Sequence, residues 1–325
     1  MMYSTKELTN KINQAIDSIP LDIEPKGLYM PISYVLSMGG KRIRPLLMLL
    51  TYNMYKEDID TAMAAAIAVE TYHNFTLLHD DLMDNADKRR GKATVHKVWD
   101  DNTAILSGDA MLILSYQLLS QSKENTLPFI LPVFSKLAME ICEGQQYDME
   151  FEDRTNVEAK EYLEMIKLKT SVLLAGSMKI GAVLAGATTE EQELLYEVGL
   201  YTGLAFQLKD DLLDVYGNIE LFGKNIGGDI LCNKKTYLLI KALEKANTKQ
   251  KETLLYWIGL DQFNPKEKIE AVTNLYNELS IKEIVEKKIK DLHQQALAKL
   301  EKVNLAIDKK QVLQQTINQL IHREV

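Results

Sequence analysis

Residues 62–84 read AMAAAIAVETYHNFTLLHDDLMD, and this stretch decides the fold. Ala64, Ala65, Ala66, Ile67, Ala68 and Val69 follow one another without a polar residue. Alanine is the best helix former, so the run predicts a helix. A helix that is apolar all round has no solvent face and is buried. This one ends on Asp80-Asp81-Leu82-Met83-Asp84. Asp80 and Asp84 are four residues apart and share a face. Carboxylates at a helix C-terminus oppose the macrodipole, and crowded carboxylates repel, so the arrangement calls for a cation. The pattern returns at Asp210-Asp211-Leu212-Leu213-Asp214, again after a stretch with few charges. A solvated charge run accounts for most acidic pairs, and Asp100-Asp101 is read that way because no third aspartate stands at the matching position. Two copies, each ending an apolar helix, point to a metal–diphosphate site. Mg²⁺ binds through a few carboxylates together with substrate phosphates.

Outward from these helices the chain reads as helix almost throughout. Residues 5–19 form an amphipathic first helix ended by Pro20, and Pro25 and Pro31 punctuate a connection. A helix opens around Arg42 to Pro45 and runs through Leu46 to Leu50. Residues 85–97 are polar and basic, a loop or a helix extension. Further helices are predicted over about 103–121, 126–151, 158–187 and 190–216. Gly217 to Asp229 is glycine-rich and is the candidate mobile loop. After about residue 234 the pattern is Lys/Glu-rich amphipathic helix to the end. Ala175, Gly176, Gly181, Ala182, Ala185 and Gly186 predict close helix packing in a core.

With 325 residues, 46% of them hydrophobic, and only 7 prolines and 16 glycines, the composition favours an all-α protein. No low-complexity linker or solenoid repeat appears, so residues 1–325 are read as a single domain. The net charge of −8 gives no support to nucleic-acid binding. Cys142 and Cys232 lack metal-ligand spacing, which fits a reducing, cytoplasmic location. The N-terminal residues lack the basic-then-apolar order of a signal peptide. The most apolar stretch, Val172 to Ala187, is interrupted by Lys179 and is short for a membrane span, so none is expected.

Basic residues accompany the aspartates, and each has two readings. Lys41 and Arg44 lie three apart at the opening of a helix whose first turn suits Pro45; they form an anion site or a solvated turn. His73, seven residues before Asp80, points the same way along its helix; it is a satisfied core histidine or a ligand. Arg89 and Arg90 mark surface or clamp a diphosphate with forked hydrogen bonds. Lys169-Thr170 interrupts an apolar region, by snorkelling or to bind phosphate. Gln207, Asp210 and Asp214 share a face, and Lys224 and Lys234 flank the glycine-rich loop, as solvated residues or as a closure over an anion.

Together these segments resemble the trans-isoprenyl diphosphate synthases, the polyprenyl synthetase family. The matching stretches are MGGKRIRP, HNFTLLHDDLMDNADKRRG, GQQYD at 144–148, KTS at 169–171, FQLKDDLLD, and GKNIGGDI followed by NKKT. They occur in the family's order over residues 38–237. The resemblance implies an all-α, isoprenoid synthase-type helical bundle around a deep central cavity, usually a homodimer. It implies Mg²⁺, three ions per active site, on Asp80, Asp84 and Asp210, with Asp81, Asp211 and Asp214 as further ligands or in the metal–water network. Arg89, Lys169 and Lys224, helped by Lys234, would hold the allylic diphosphate. Lys41, Arg44, His73 and Arg90 would hold isopentenyl diphosphate. Thr170 and Gln207 would stabilise the allylic cation through their oxygen dipoles, and Gln145 and Asp148 match a pattern near the metals. The implied reaction is head-to-tail condensation. Diphosphate leaves once its charge is neutralised, and the carbocation is kept from water in an apolar chamber.

Phe75 lies five residues before Asp80, a rise of about 7.5 Å along the helix. Beside it stands Thr76. In the family a bulky residue at this position goes with short products, so Phe75 is read as the floor of the chamber, with a product of fifteen or twenty carbons and a lean to geranylgeranyl. A medium- or long-chain synthase is the alternative. A terpene cyclase would carry an Asn/Asp-Ser/Thr-Glu motif in place of the second aspartate cluster. A head-to-head condensing enzyme would show DxxxD-like motifs. A product-length-modulating partner subunit would lose one cluster, and an EF-hand loop is not matched after Asp80.

Overall fold

The computed structural model of the chain describes residues 2–217 and 226–323. By backbone contacts it divides into two compact units. The first comprises Met1–Ser135, Gly176–Tyr196 and Asn304–Leu313; the second comprises Lys136–Ala175, Glu197–Val303 and Gln314–Val325. The fold is all-α, as expected, with one small exception among the described residues.

The first unit is built around α4 (Asp60–Met83), which packs on α1 (Thr5–Asp17), α2 (Lys26–Ser37), α3 (Ile43–Asn53) and α6 (Asp101–Ser120). Its buried residues include the consecutive Ala65, Ala66, Ile67, Ala68 and Val69, which spread around the helix as the absent polar face requires. The segment read as a connection is helical: α2 carries Pro31 in its interior. That proline forfeits one hydrogen bond at about 3 kcal/mol. Burial of Ile32, Val35 and Leu36 along one face returns about 1.5–3 kcal/mol each and decides the outcome. Residues 85–97 hold the exception, a hairpin of β1 (Lys88–Arg89) and β2 (Lys92–Ala93), followed by the short α5 (Val95–Val98). Arg90 and Gly91 both have positive φ, 53° and 79°, the backbone of a type I′ turn. Asp100 is a helix cap: its carboxylate accepts from Thr103 N at 2.8 Å and Thr103 Oγ1 at 3.0 Å.

The long helices α7 (Leu127–Asp153) and α10 (Thr189–Tyr216) start and end within a few residues of their predicted bounds, and the helix expected over 158–187 is made of successive segments ending in α9 (Val172–Ala185). Between α8 (Ala159–Ile166) and α9 the helix widens into one π turn, Lys167–Ser171. The second unit holds α11 (Gly228–Leu231), α12 (Tyr237–Lys245), α13 (Thr248–Ile258), α14 (Pro265–Glu278) and α15 (Ile281–Glu301), and the last helix, α16 (Ile307–His322), has residues in each unit. The buried faces of α12, α14 and α15 join Leu204, Leu208 and Leu212 of α10 in one core. Two helical segments, Asp101–Ser120 and Ala159–Ala185, have the length and apolarity of a membrane span. The apolar window of the second is 78% buried inside the protein, the mark of a core helix.

Candidate active site

In the first unit, α4 delivers Asp80, Asp81 and the C-cap Asp84 to one corner. The hairpin after it turns the chain back, so Arg89 reaches the carboxylates from eight residues away. Arg89 Nε lies 2.7 Å from both Asp81 oxygens, and a terminal nitrogen lies 2.7 Å from Oδ1 and 3.9 Å from Asp80. Asp81 is only 5% exposed, so this clamp is sheltered from solvent and correspondingly strong.

The basic side chains of this unit gather beside it. Arg90 donates to the Gly39 carbonyl and a side chain at Gly40 would meet its guanidinium, while Gly39 and Gly40 both have positive φ, 75° and 139°, which favours the two glycines before Lys41. Arg44 lies 3.0 Å from His73 Nε2. Burial, then Arg44, Arg90, Arg89 and Arg42, hold His73 well below its ordinary pKa. The ring is therefore neutral and accepts from Arg44. Lys41 is exposed at the same helix opening.

Arg42 was not singled out by the sequence. It is 4% exposed, left-handed (φ 48°), and paired with the buried Glu70 at 2.8 Å. Its other nitrogens reach Asn13 Oδ1 at 3.1 Å and the Leu36 carbonyl at 2.9 Å. This buried network fixes the residue between Lys41 and Arg44.

Phe75 stacks edge-on against Tyr72 at 5.4 Å and His79 at 4.9 Å, and Tyr72 in turn meets Phe134 at 5.4 Å. Thr76 turns its hydroxyl back onto the His73 carbonyl at 2.8 Å. The aromatic ring, not Thr76, is the bulky element of this layer.

In the second unit, Asp210, Asp211 and Asp214 lie on α10 and meet different fates. Asp210 pairs with Arg323, whose guanidinium stacks 3.8 Å over Phe206. Asp211 is 4% exposed and accepts from the Tyr162 hydroxyl and, at 3.0 Å, from Gln207 Nε2. Burial and then the nearby Asp229 push its pKa up to about 7, against the opposing pull of these two donors. Asp214 Oδ2 accepts from Asp229 N at 2.9 Å. Asp229 itself is raised to about 6 by burial, with Asp214, Asp148 and Asp210 adding to the rise and Lys234 opposing it.

Lys169 and Thr170 sit in the π turn, a local widening that recurs at functional sites. Gly144 and Gly203 let two helices press against it: a Cβ at Gly203 would lie 2.6 Å from Ser171 Cα, and one at Gly144 would overlap the Lys169 backbone. Lys169 pairs with Asp148 at 2.6 Å. Thr170 donates to Gln207 Oε1 at 3.1 Å, so the Gln207 oxygen is engaged and the lone pairs of Thr170 are the better placed dipole. Lys224 and most of the expected mobile loop lie outside the described residues.

The sequence-predicted residues of each unit stand close to one another, and the structure adds three in the second unit that the sequence did not single out. Asp229 carried a signal, a carboxylate directly after Gly227-Gly228. Tyr162 and Arg323 carried none, being far in sequence from the aspartates they serve.

Among the described residues no group of three His, Cys, Asp or Glu side chains forms a ready metal cage. Crowding is the sign that a cation fits. The donors are all hard carboxylate oxygens, and Asp211 and Asp229 are pushed toward protonation by burial and by each other's neighbours.

The sequence profile of the polyprenyl synthetase family matches residues 25–277. The chain is 42% identical over 273 residues to the short chain isoprenyl diphosphate synthase of Methanocaldococcus jannaschii, covering 84% of this chain and 83% of that protein. It is 45% identical over 246 residues to the geranylgeranyl pyrophosphate synthase of Geoglobus acetivorans, covering 74% and 76%. A crystal structure of a geranylgeranyl pyrophosphate synthase superposes with a TM-score of 0.95 at 45% identity, covering 100% of each chain.

Proposed function

This chain is a trans-prenyltransferase belonging to the polyprenyl synthetase family, and from that premise we propose that it joins isopentenyl diphosphate head-to-tail to allylic diphosphates and stops at twenty carbons. The observation that supports this most directly is the pairing at both aspartate helices. Each carboxylate cluster carries cations of the protein's own, Arg89 at one and Arg323 at the other. On binding, metal ions would take the place of these cations at the carboxylates.

In this reading Asp80, Asp81, Asp84, Asp210, Asp211 and Asp214 would hold Mg²⁺, three ions in all. Bound Mg²⁺ neutralises the departing diphosphate. Arg89 and Lys169 release Asp81 and Asp148 and take up the allylic diphosphate, with Lys234 and Lys224 alongside. Neutral His73 accepts from Arg44 and aims its guanidinium, while Lys41 and Arg90 add charge for isopentenyl diphosphate. The allylic C–O bond breaks, and Thr170 oxygen stabilises the cation beside Gln207. The isopentenyl double bond forms the new C–C bond, and the proton it sheds goes to the released diphosphate.

Phe75, backed by Tyr72, sets the length. The names of the two geranylgeranyl relatives agree with the twenty-carbon reading. The profile runs through segments of both units, which supports one polyprenyl synthetase domain over residues 1–325. Exposed Ile105, Leu106 and Ile113 on α6 and Phe129 on α7 support a homodimer, since apolar side chains so placed gain by burial. The free cysteines fit the cytoplasm.

The test is a product assay with Mg²⁺, labelled isopentenyl diphosphate and five-, ten- and fifteen-carbon allylic primers. A chelator-sensitive ladder ending at twenty carbons is expected. A much longer ladder would keep the reaction and remove Phe75 as the floor.

A further inference from the structure

Lys268 lies on α14, outside every motif, and is 1% exposed. A buried ammonium is costly unless it is held. Here it is held by neutral groups: Nζ donates to Asn233 Oδ1 at 2.7 Å, lies 3.5 Å from the Leu231 carbonyl, and sits 4.0 Å over the Phe263 ring. Burial depresses its pKa below the ordinary lysine value. Leu231 ends α11, so the ammonium stands at a helix C-terminus, where the free carbonyls favour a cation. Asn233 is left-handed, with φ 55°, and its own amide donates to the Ile258 carbonyl at 3.0 Å.

The segment gripped in this way reaches the second aspartate cluster. Gly227 N donates to the Asp214 carbonyl at 2.6 Å, Asp229 N to Asp214 Oδ2 at 2.9 Å, and Lys234 N to the Asp229 carbonyl at 2.9 Å. At the other end of the segment, a Cβ on Gly227 would lie 2.7 Å from Ile269, the residue after Lys268. One turn of α14 therefore touches both ends of residues 227–234.

We propose that Lys268 is a positioning residue: by tying α14 to Leu231 and Asn233 it fixes Asp229 and Lys234 against Asp214, and so sets the affinity of this cluster for divalent cation and diphosphate. The inference rests on the prenyltransferase reading. An apolar side chain of the same length would fill the space and leave the Asn233 and Leu231 oxygens without their cation. The segment would then loosen while the core stayed full.

The variants are Lys268→Met and, as a control for general destabilisation, Val272→Ala, a buried truncation on the same helix. In Lys268→Met the concentration of MgCl₂ that half-saturates the metal-free protein in the presence of inorganic diphosphate, read by calorimetry, should rise about tenfold, as for loss of a group that orients a ligand. Amide exchange at Gly227 and Asp229 should quicken in the metal-free protein. The KM for isopentenyl diphosphate should stay within about twofold, because its residues lie in the first unit. Val272→Ala should lower the melting temperature and leave metal binding and exchange at those amides as in the parent.

Asn233→Gly removes the acceptor yet keeps a residue at ease with positive φ. It should repeat the Lys268→Met pattern and carries the test if that variant does not fold. Parent-like metal binding and exchange in the lysine or asparagine variant, or a loss in them matched by Val272→Ala, would overturn the proposal. A parent chain that elongates no primer would instead sink the prenyltransferase reading.

Discussion

At the end of α4 the carboxylates are held by a close sequence neighbour, and at the end of α10 they are held from afar. Asp81 takes Arg89, eight residues on, through a hairpin turn. Asp211 takes Tyr162 from 49 residues away, and Asp210 takes Arg323 from 113. The chemical result differs as much as the route. A buried carboxylate clamped by a guanidinium has a fixed cation as its partner. A buried carboxylate clamped by a hydroxyl and an amide is partly a proton store, and Asp211 rises to about 7 accordingly. One five-residue pattern thus gives two electrostatic environments, because the pattern fixes spacing and the surroundings fix charge.

The largest effect expected from breaking this contrast is at the anionic corner. Asp81→Ala takes away the carboxylate that Arg89 clamps and removes a proposed metal ligand, and turnover should fall at least about a hundredfold. Full turnover would discard the catalytic assignment of that corner.

Next is the proton competition at the other corner. With Asp211 near 7 and Asp229 near 6, the Mg²⁺ concentration for half-saturation should rise about tenfold from pH 8 to pH 6. The folded Asp211 pKa lies above the ordinary 3.8, so this group stabilises the metal-free protein fully below about pH 4 and loses that contribution as pH rises through about 7. Thermal melts across this window should show the decline without metal and a smaller one with it.

Smaller again is Tyr162→Phe. It removes a donor that lowers the Asp211 pKa, so the acid limb of metal binding should move to higher pH, by about one unit. An unmoved limb would show that the tyrosine is packing only. Phe75→Ala should shift product length with little change in metal dependence, measured by chromatography of dephosphorylated products. Adding Tyr72→Ala should shift it further, since Tyr72 is the next ring behind. A change in metal dependence in the Phe75 variant, or in product length in the Tyr162 variant, would mean that chain length and metal binding are not set by separate residues.

The helices were legible because their signals are local. An alanine run, the first-turn Pro45 and the glycine punctuation act over a few residues. Lys26–Ser37 was not, because Pro31 spoke for a break while the opposing term, the buried face of Ile32, Val35 and Leu36, depends on what packs there. The hairpin at 88–93 was hidden in a polar stretch for want of alternating apolar residues. Within the site, the motif aspartates stood out by spacing, and the basic residues were named through the family resemblance. Their supporting partners Glu70, Tyr162 and Lys268 could not, since each acts through a tertiary contact that no spacing rule encodes.

The rings of Phe75 and Tyr72 stand one helical turn apart on α4, and a turn advances about 5.4 Å. That pitch is close to the length of a single isoprene unit. On the proposed reading, α4 is a ruler graduated in five-carbon steps, with side-chain size as the stop that slides along it. Product length in such an enzyme changes in whole graduations, one substitution at a time, while the chemistry at the end of the ruler stays untouched.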